Sequence, residues 1–299
     1  MFRATKVSAI FDFDKTLSPD YMQKVIFDNY NVDEGTFWDD CRIRTKENEA
    51  LFGTSHHELD YMNTILNYVR DGRFAGLDNT LLAKLGNNIK LYPGVPWMLN
   101  ELYKLGVEVY IVSAGIKIML QGLEESIREQ TKNPEFKIHG VFAGDFRCNE
   151  NGVTGLSSIA NCMDSIGKTK AIYEISKGCN VYGYDFTVSL PKENGRRVPL
   201  EQILYIGDGF SDIPAMNLIY DSGGHTLGVF DPKSKSQFAQ IEQIRSGDRL
   251  STVACADYTE GSTAATWLLG KASELLYKSS ESYLLRKEIG DLRGNPLKA

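Results

Sequence analysis

A chain of 299 residues is long enough for about two domains. With 42% hydrophobic and 24% charged residues, it has the composition of an ordinary globular protein, which excludes collagen-like and low-complexity proteins. Its net charge of −6 also argues weakly against a nucleic-acid-binding protein, because such proteins usually carry a basic face.

The cysteines and the apolar runs exclude further classes. The five cysteines are scattered singly, which gives no support for a zinc site or a disulfide framework. The N-terminal residues lack the apolar region of a secretory leader, and no run reaches the ~18 apolar residues of a membrane span. We therefore expect a cytoplasmic protein that has neither a membrane nor a nucleic acid as partner.

The predicted elements follow the chain in three blocks. The first is a short apolar strand over residues 6–14, which ends in two acids. From about residue 18 to 88, apolar residues recur every three or four positions, as in 37–51 and 56–69, which predicts helices. After Tyr92, strands and helices alternate. The predicted strands cover 107–112, 138–143, 203–206, 226–230 and 253–257, and the predicted helices 95–105, 116–130, 169–176, 212–220 and 262–276.

This alternation predicts an α/β fold, in which helices cover both faces of a parallel sheet. The first and third blocks, residues 1–17 and 89–299, would form the core domain, and residues 18–88 an inserted, mainly α-helical cap domain. Residues 178–199 fit either a hairpin or an excursion from the sheet, and a polar tail follows from about residue 291. In such a sheet the functional site lies at the carboxyl ends of the strands.

Two acidic segments lie at predicted strand ends. In Asp-Phe-Asp-Lys-Thr, residues 12–16, the two-residue period places Asp12 and Asp14 on the same side of the strand end. In Gly-Asp-Gly-Phe-Ser-Asp, residues 207–212, Asp208 and Asp212 follow a strand and lie four residues apart. Paired carboxylates can attack phosphorus, transfer a proton and hold Mg²⁺. Each segment alone is also compatible with an ordinary acidic turn.

Two further segments could bind an anion. Ser113, in Ile-Val-Ser-Ala-Gly, ends a strand before a helix and can present its hydroxyl and backbone N–H groups, although an ordinary helix cap explains it better. Lys168, in Gly-Lys-Thr-Lys, could neutralise phosphate charge, although a solvated lysine is the commoner case.

Together and in this order, the four segments resemble the four motifs of the haloacid dehalogenase-like superfamily. The resemblance extends from residue 6 to about residue 230 and implies a Rossmann-like core with an inserted cap. The long helical stretch before Tyr92, and the sequence Tyr-Pro-Gly-Val that begins there, are similar to the phosphoserine phosphatase-like branch with a helical cap.

The resemblance implies a role for each matched residue. Asp12 would be the nucleophile that forms an aspartyl-phosphate, and Asp14 the group that protonates the leaving oxygen and then activates water. The implied phosphate-binding residues are Thr16, Ser113, Ala114, Lys168 (with Lys170 as the alternative lysine) and Ser211. The residues implied in holding Mg²⁺ are Asp12, Asp14, Asp208 and Asp212, the last in a supporting role.

The implied function is Mg²⁺-dependent hydrolysis of a small-molecule phosphomonoester. Two departures argue against phosphoserine as the substrate: Tyr21 stands where phosphoserine phosphatases carry an acid, and Ser211 where they usually carry asparagine. A dehalogenase would have no use for Asp14. The alternatives are a phosphotransferase, which would form the same intermediate, and a non-catalytic pseudo-phosphatase that binds a phosphorylated ligand.

Overall fold

One mixed sheet forms the centre of the part of the chain that the structure describes. The computed structural model describes residues 6–150, 152, 154–178 and 196–294, with the side chains of the last helix as far as residue 281. The strands are β1 (Ser8–Phe11), β2 (Glu108–Ile116), β3 (Gly140–Cys148), β4 (Leu156–Asn161), β5 (Ile203–Gly207), β6 (His225–Phe230) and β7 (Thr252–Cys255). They lie in the order β4-β3-β2-β1-β5-β6-β7, and every neighbouring pair is parallel except β3 and β4.

Strand β1 is central, because it pairs with β2 on one side and with β5 on the other. Both of its faces are covered, which is why the strand is apolar at nearly every position. Ala9 and Phe11 contribute to the apolar cluster on one face and Ile10 to the cluster on the other, as the two-residue period requires. The carboxyl ends of β1, β2 and β5 therefore meet at one edge.

Helices cover both faces of this sheet. Four of them form the helical insertion between β1 and the core helices: α1 (Lys24–Tyr30), α2 (Glu34–Phe52), α3 (His57–Arg70) and α4 (Asn79–Gly86). The core helices are α5 (Val95–Lys104), α6 (Leu123–Thr131), α7 (Ser165–Lys177), α8 (Ile213–Asp221), α9 (Lys235–Arg245) and α10 (Thr263–Gly294). Helices α5, α6 and α10 pack on the Phe11 face, and α7, α8 and α9 on the Ile10 face.

The helical insertion packs around aromatic rings. The ring centre of Phe37, on α2, lies 4.7 Å from that of Phe27 on α1 and 5.3 Å from that of Tyr68 on α3. Phe74, in the turn after α3, lies 5.0 Å from Tyr68. These four buried rings belong to the same apolar cluster as Phe11, so the insertion and the sheet share one continuous core.

The predicted α/β fold, with its parallel core and inserted helical block, is confirmed. The division of the chain into a cap of residues 18–88 and a core of residues 1–17 and 89–299 stays a prediction. Two elements lie where no pattern predicts them: the short antiparallel strand β4, and helix α9.

The predicted helix over residues 116–130 is wrong in its first part. Strand β2 continues to Ile116, a 3₁₀ turn covers Lys117–Leu120, and α6 begins only at Leu123. The strand extends beyond its predicted end because its pairing with β3 is interrupted between Val112 and Ile116 and then resumes. Residues 113–115 form a bulge there, hereafter the β2 bulge, a feature that is common beside functional sites.

The predicted polar tail begins too early, because α10 continues to Gly294. No glycine or proline occurs between residues 271 and 289, so the sequence offers no helix-breaking residue over this stretch. Residues 295–299, and residues 179–195 of the segment predicted as a hairpin or excursion, lie outside the described residues. Among the helices that the structure describes, none combines the length and the apolar character needed to cross a membrane.

Candidate active site

The carboxyl ends of β1 and β5 bring the two acidic motifs together. The Asp12 N–H donates to the Ile206 carbonyl at 2.8 Å, so Asp12 continues the pairing of β1 with β5 by one residue. Asp208 follows β5 directly. Asp12, Asp208 and Asp212 each place a carboxylate oxygen within 4.8 Å of the other two. Residues almost 200 positions apart thus form one acidic cluster, because neighbouring parallel strands end at the same edge.

Lys168 neutralises part of this cluster from α7. Its Nζ lies 2.8 Å from Asp12 Oδ1 and 2.7 Å from Asp212 Oδ1, and the side chain is fully buried. The Asp164 side chain caps the helix by accepting from the Gly167 N–H at 2.6 Å, which fixes the first turn that carries the lysine. Although burial disfavours the ammonium, the two carboxylates raise the pKa of Lys168 above its ordinary value. The lysine therefore stays charged.

Asp212 uses both of its oxygens within the site. Oδ1 accepts from Lys168 Nζ and from the Tyr205 hydroxyl, both at 2.7 Å. Oδ2 accepts from the backbone N–H groups of Asp208 and Gly209, at 3.2 and 3.3 Å. A Cβ at Gly207 would lie 2.4 Å from Asp212 Oδ2, so this approach requires glycine. With four donors on its carboxylate, Asp212 is suited to holding the lysine and the turn.

Asp14 has different surroundings from Asp12. It is half-buried, and its Oδ1 accepts from the Met22 N–H at 2.9 Å. Burial, reinforced by the charge of Asp12, raises the pKa of Asp14 to about 7. Burial also raises the pKa of Asp12, to about 6, although Lys168 opposes this shift. Asp14 is therefore the carboxyl group better suited to exchanging a proton near neutral pH.

The donor set fits a divalent cation of the Mg²⁺ type. The carboxylates of Asp12, Asp208 and Asp212 supply hard oxygens, and Asp208 stands beside Asp12 without an ion pair among the described residues. Burial and the Asp12 charge raise the pKa of Asp208 well above its ordinary value, which marks negative charge that the protein itself leaves uncompensated. Because the oxygens of Asp212 already accept four hydrogen bonds, Asp12 and Asp208 are the better ligands.

The β2 bulge brings Ser113 and Ala114 to the same edge of the sheet. Ser113 is 1% exposed, and its Oγ accepts from the Gly115 N–H at 3.0 Å. The Ala114 carbonyl accepts from the Tyr61 hydroxyl of the helical insertion at 2.8 Å. The Ile116 N–H lies 3.0 Å from the Met22 sulfur, which closes the far end of the bulge.

Of the other predicted site residues, Thr16 and Ser211 lie beside the acidic cluster, whereas Lys170 does not. Thr16 is buried with its hydroxyl 3.5 Å from Asp208 Oδ1, and Ser211 lies half-buried in the turn just before Asp212. Lys170, the alternative lysine, points away: its side chain is 63% exposed, and its Nζ lies 3.5 Å from Glu174. The structure thus brings Lys168, and not Lys170, to the acidic cluster.

Three tyrosines donate hydrogen bonds to residues of the site, and only Tyr205 is connected with it in the local sequence. Tyr205 donates to Asp212, Tyr61 to Ala114, and the Tyr258 hydroxyl to the Thr16 carbonyl at 2.8 Å. For Tyr205 a signal exists, because it lies on β5 three residues before Asp208. The other two are 53 and 242 residues away from their partners, and nothing in the local sequence connects them.

Tyr21 lies between the first acidic motif and α1. It is 43% exposed, and its ring centre lies 5.3 Å from that of Trp38. Lys15, whose φ of 60° is in the left-handed region, places its Nζ 4.7 Å from the Tyr21 ring centre and donates to the Pro19 carbonyl. Burial, followed by the charges of Asp208 and Asp14, raises the pKa of the Tyr21 hydroxyl, which places that hydroxyl within electrostatic range of the cluster.

The chain is similar to several known proteins. The family model of the haloacid dehalogenase-like hydrolases matches residues 9–217. The chain is 29% identical over 292 residues to an uncharacterised protein of Borreliella burgdorferi, covering 90% of this chain and 97% of that one. It is 22% identical over 169 residues to a phosphoserine phosphatase of Streptomyces coelicolor, covering 56% of this chain and 34% of that enzyme.

Among solved structures, the unliganded form of a probable phosphoserine phosphatase from Vibrio cholerae is similar in fold. It has a TM-score of 0.50 and 12% identity, over 91% of this chain and 66% of that one. The resemblance to the phosphoserine phosphatase-like branch is thus supported at the level of the fold. The family match covers well over half of the chain, which therefore belongs to the haloacid dehalogenase-like hydrolases.

Proposed function

We propose that the protein is a Mg²⁺-dependent phosphatase that hydrolyses a small-molecule phosphomonoester through an aspartyl-phosphate on Asp12. The observation that carries this proposal is the contrast between two carboxyl groups at one strand end. Asp12 is paired with a buried lysine, whereas Asp14 has no ion pair in the described residues and a pKa of about 7. The lysine favours the anion of Asp12 for attack, and Asp14, which lacks such a partner among the described residues, is suited to proton transfer.

Asp12 would act through the oxygen that Lys168 does not hold. Lys168 holds Oδ1 at 2.8 Å, which leaves Oδ2 to form a bond with phosphorus while the bond from phosphorus to the leaving oxygen breaks. Protonated Asp14 gives its proton to that leaving oxygen, and the alcohol departs. Asp14, now a carboxylate, takes a proton from water as the water oxygen attacks phosphorus. The bond between phosphorus and Asp12 then breaks, which releases inorganic phosphate and restores the carboxylate.

Asp12 and Asp208, with the Asp14 backbone carbonyl, would hold Mg²⁺, and Asp212 would support them. When bound, the metal ion supplies positive charge that offsets the repulsion between a carboxylate nucleophile and a phosphate dianion. Ser113, Ala114 and Thr16 would contact the phosphate oxygens, and Ser211 would lie at the edge of the same site. Lys168 would stabilise both the nucleophile and the phosphate.

Tyr21, which follows the first acidic motif, is approached by one aromatic ring and one cation, those of Trp38 and Lys15. A small phosphorylated alcohol is the proposed partner, and the cytoplasmic location and the lack of membrane and nucleic-acid partners stay predictions from the sequence.

The test is hydrolysis of p-nitrophenyl phosphate by the full chain. We expect turnover that requires Mg²⁺, stops with EDTA and is abolished by Asp12→Asn. Brief reaction followed by acid quenching should leave one phosphoryl group on the wild-type chain, visible by mass spectrometry. Activity that persists in Asp12→Asn or in EDTA would contradict the mechanism. Release of a phosphorylated alcohol when glycerol is added would indicate the phosphotransferase, and bound phosphate without turnover the pseudo-phosphatase.

A further inference from the structure

A tyrosine of the helical insertion is hydrogen-bonded directly to the β2 bulge. Tyr61 lies on α3 and is 6% exposed, and its hydroxyl donates to the Ala114 carbonyl at 2.8 Å. A phenol that is buried without a partner would lose free energy, so this bond favours the arrangement in which α3 lies against the bulge. The position of the insertion is thereby coupled to the residues proposed to bind phosphate.

The peptide that accepts a hydrogen bond from Tyr61 also donates one to Ser113. The Ala114 carbonyl and the Gly115 N–H belong to one planar peptide, and that N–H donates to Ser113 Oγ at 3.0 Å. Tyr61 therefore holds one end of the peptide and Ser113 the other. A Cβ at Gly115 would lie 2.2 Å from the Met22 terminal methyl carbon, so the peptide is also enclosed from the side.

The donors in this arrangement all point the same way. The Tyr61 O–H donates to the carbonyl, and the N–H of the same peptide donates to the Ser113 oxygen. Because that oxygen accepts from Gly115, its own proton is directed elsewhere and is left to donate to a ligand. Successive hydrogen bonds of one direction polarise each other, so each strengthens the next donor.

We infer that Tyr61 is a positioning residue for phosphate binding, which acts through the Ala114–Gly115 peptide on the hydroxyl of Ser113. This inference rests on the proposed function, since it takes Ser113 as a contact of the phosphate. Tyr61 itself needs no contact with the substrate. Gln23, which is 2% exposed, opposes the rise that burial causes in the pKa of the Tyr61 hydroxyl.

The test is a double-mutant cycle that combines Tyr61→Phe with Ser113→Ala, measured with p-nitrophenyl phosphate and with inorganic phosphate as competitive inhibitor. We expect Tyr61→Phe to raise KM and the inhibition constant of phosphate about three- to tenfold, with a smaller change in kcat, as for the loss of one hydrogen bond. In the Ser113→Ala background the same substitution should change these constants less than about twofold, because the group through which Tyr61 acts is absent.

The matched control is Tyr68→Phe. Tyr68 lies on the same helix and is also buried, but its hydroxyl donates to Asp40 within the insertion at 2.7 Å. We expect this variant to keep the phosphate inhibition constant of the wild type. Equal effects of Tyr61→Phe with and without Ser113, or equal effects of the two tyrosine substitutions, would overturn the inference.

The measurements distinguish failure of the proposed function from failure of the role of Tyr61. A wild-type chain that neither hydrolyses p-nitrophenyl phosphate nor binds phosphate with Mg²⁺ would refute the proposed function itself, whereas normal wild-type behaviour with an additive cycle refutes only the role of Tyr61. If Tyr61→Phe fails to fold, Gln23→Leu changes the surroundings of the Tyr61 hydroxyl without altering the ring. It should raise the inhibition constant of phosphate about twofold in the wild-type background and leave it unchanged with Ser113→Ala.

Discussion

The edge of the sheet and the helical insertion are stabilised by opposite means. At the edge, charged groups are buried in contact with one another, as in the pairing of Lys168 with Asp12 and Asp212. The insertion packs around the aromatic rings near Phe37, and the charged groups that reach these rings, such as Arg73 on Tyr68, are partly exposed. Substitutions in the first region should therefore affect chemistry most, and substitutions in the second should affect stability.

Lys168→Ala should lower both activity and stability strongly. It removes the cation between two buried carboxylates, so we expect kcat on p-nitrophenyl phosphate to fall about 10³-fold. The free energy of unfolding should fall by about 3–5 kcal/mol, because a buried charge loses its partner. Lys170→Ala is the control two residues away on the same helix, at a side chain that is 63% exposed. Similar losses in both variants would contradict the assignment of Lys168 to the site.

Phe37→Ala tests how much the packed rings of the insertion contribute to stability. Phe37 is fully buried among the rings of Phe27, Tyr68 and Phe74. We expect its truncation to lower the free energy of unfolding, measured by urea denaturation, by about 3–5 kcal/mol. Per folded molecule, kcat should change little. Phe52→Ala, on the same helix at a side chain that is 72% exposed, should change stability by less than about 0.5 kcal/mol.

Asp14→Asn tests whether Asp14 transfers the proton in the proposed mechanism. Asparagine keeps an oxygen that can accept from the Met22 N–H, but it cannot transfer a proton. We expect steady-state turnover of an alkyl phosphate, such as glycerol 2-phosphate, to fall about 10²-fold or more. The first release of p-nitrophenol from p-nitrophenyl phosphate should be slowed less, because that leaving group needs no proton. Equal losses on both substrates would argue against Asp14 as the acid.

Two glycine-to-alanine substitutions should change stability only slightly, because the added methyl group would meet no neighbouring atom. Gly53, which ends α2 in the insertion, has a φ of 71°, and Gly270 lies within α10 of the core; neither has an atom within 4 Å of an added Cβ. Gly53→Ala should destabilise the protein by about 1 kcal/mol, because a left-handed conformation strains alanine. Gly270→Ala should stabilise it by about 0.5–1 kcal/mol, because alanine favours a helix. Thermal denaturation of both variants would reveal the opposite signs.

The sequence predicts the edge of the sheet better than the insertion. Asp12, Asp14 and Asp208 stand directly at the ends of apolar strands, where the chemistry requires particular residue types in a few consecutive positions. The sequence predicts helices in the insertion, but not how they meet the core. The contact of Tyr61 with Ala114 depends on how α3 packs, and packing leaves no local pattern.

The misplaced start of the helix after Ser113 has a similar cause. Residues 116–120 have helix-compatible apolar spacing, but β2 continues to Ile116 and its N–H lies against the Met22 sulfur. That partner is 94 residues away, so tertiary contacts outweigh the local preference. Strand β4 could not be predicted for the same reason, since a short antiparallel edge strand is defined by its pairing with β3.

The hydrogen bond between Tyr258 and Thr16 has a consequence for the order in which the protein is made. The loop after Asp14 is synthesised before its partner, because the donor to its Thr16 carbonyl lies 242 residues further along the chain. The Tyr258 N–H also donates to the Pro93 carbonyl at 2.8 Å, which ties the same late segment to the region between the insertion and α5. A growing chain on the ribosome therefore carries Asp12 long before the surrounding loop can be completed, and we expect activity to appear only after residue 258 has left the ribosome.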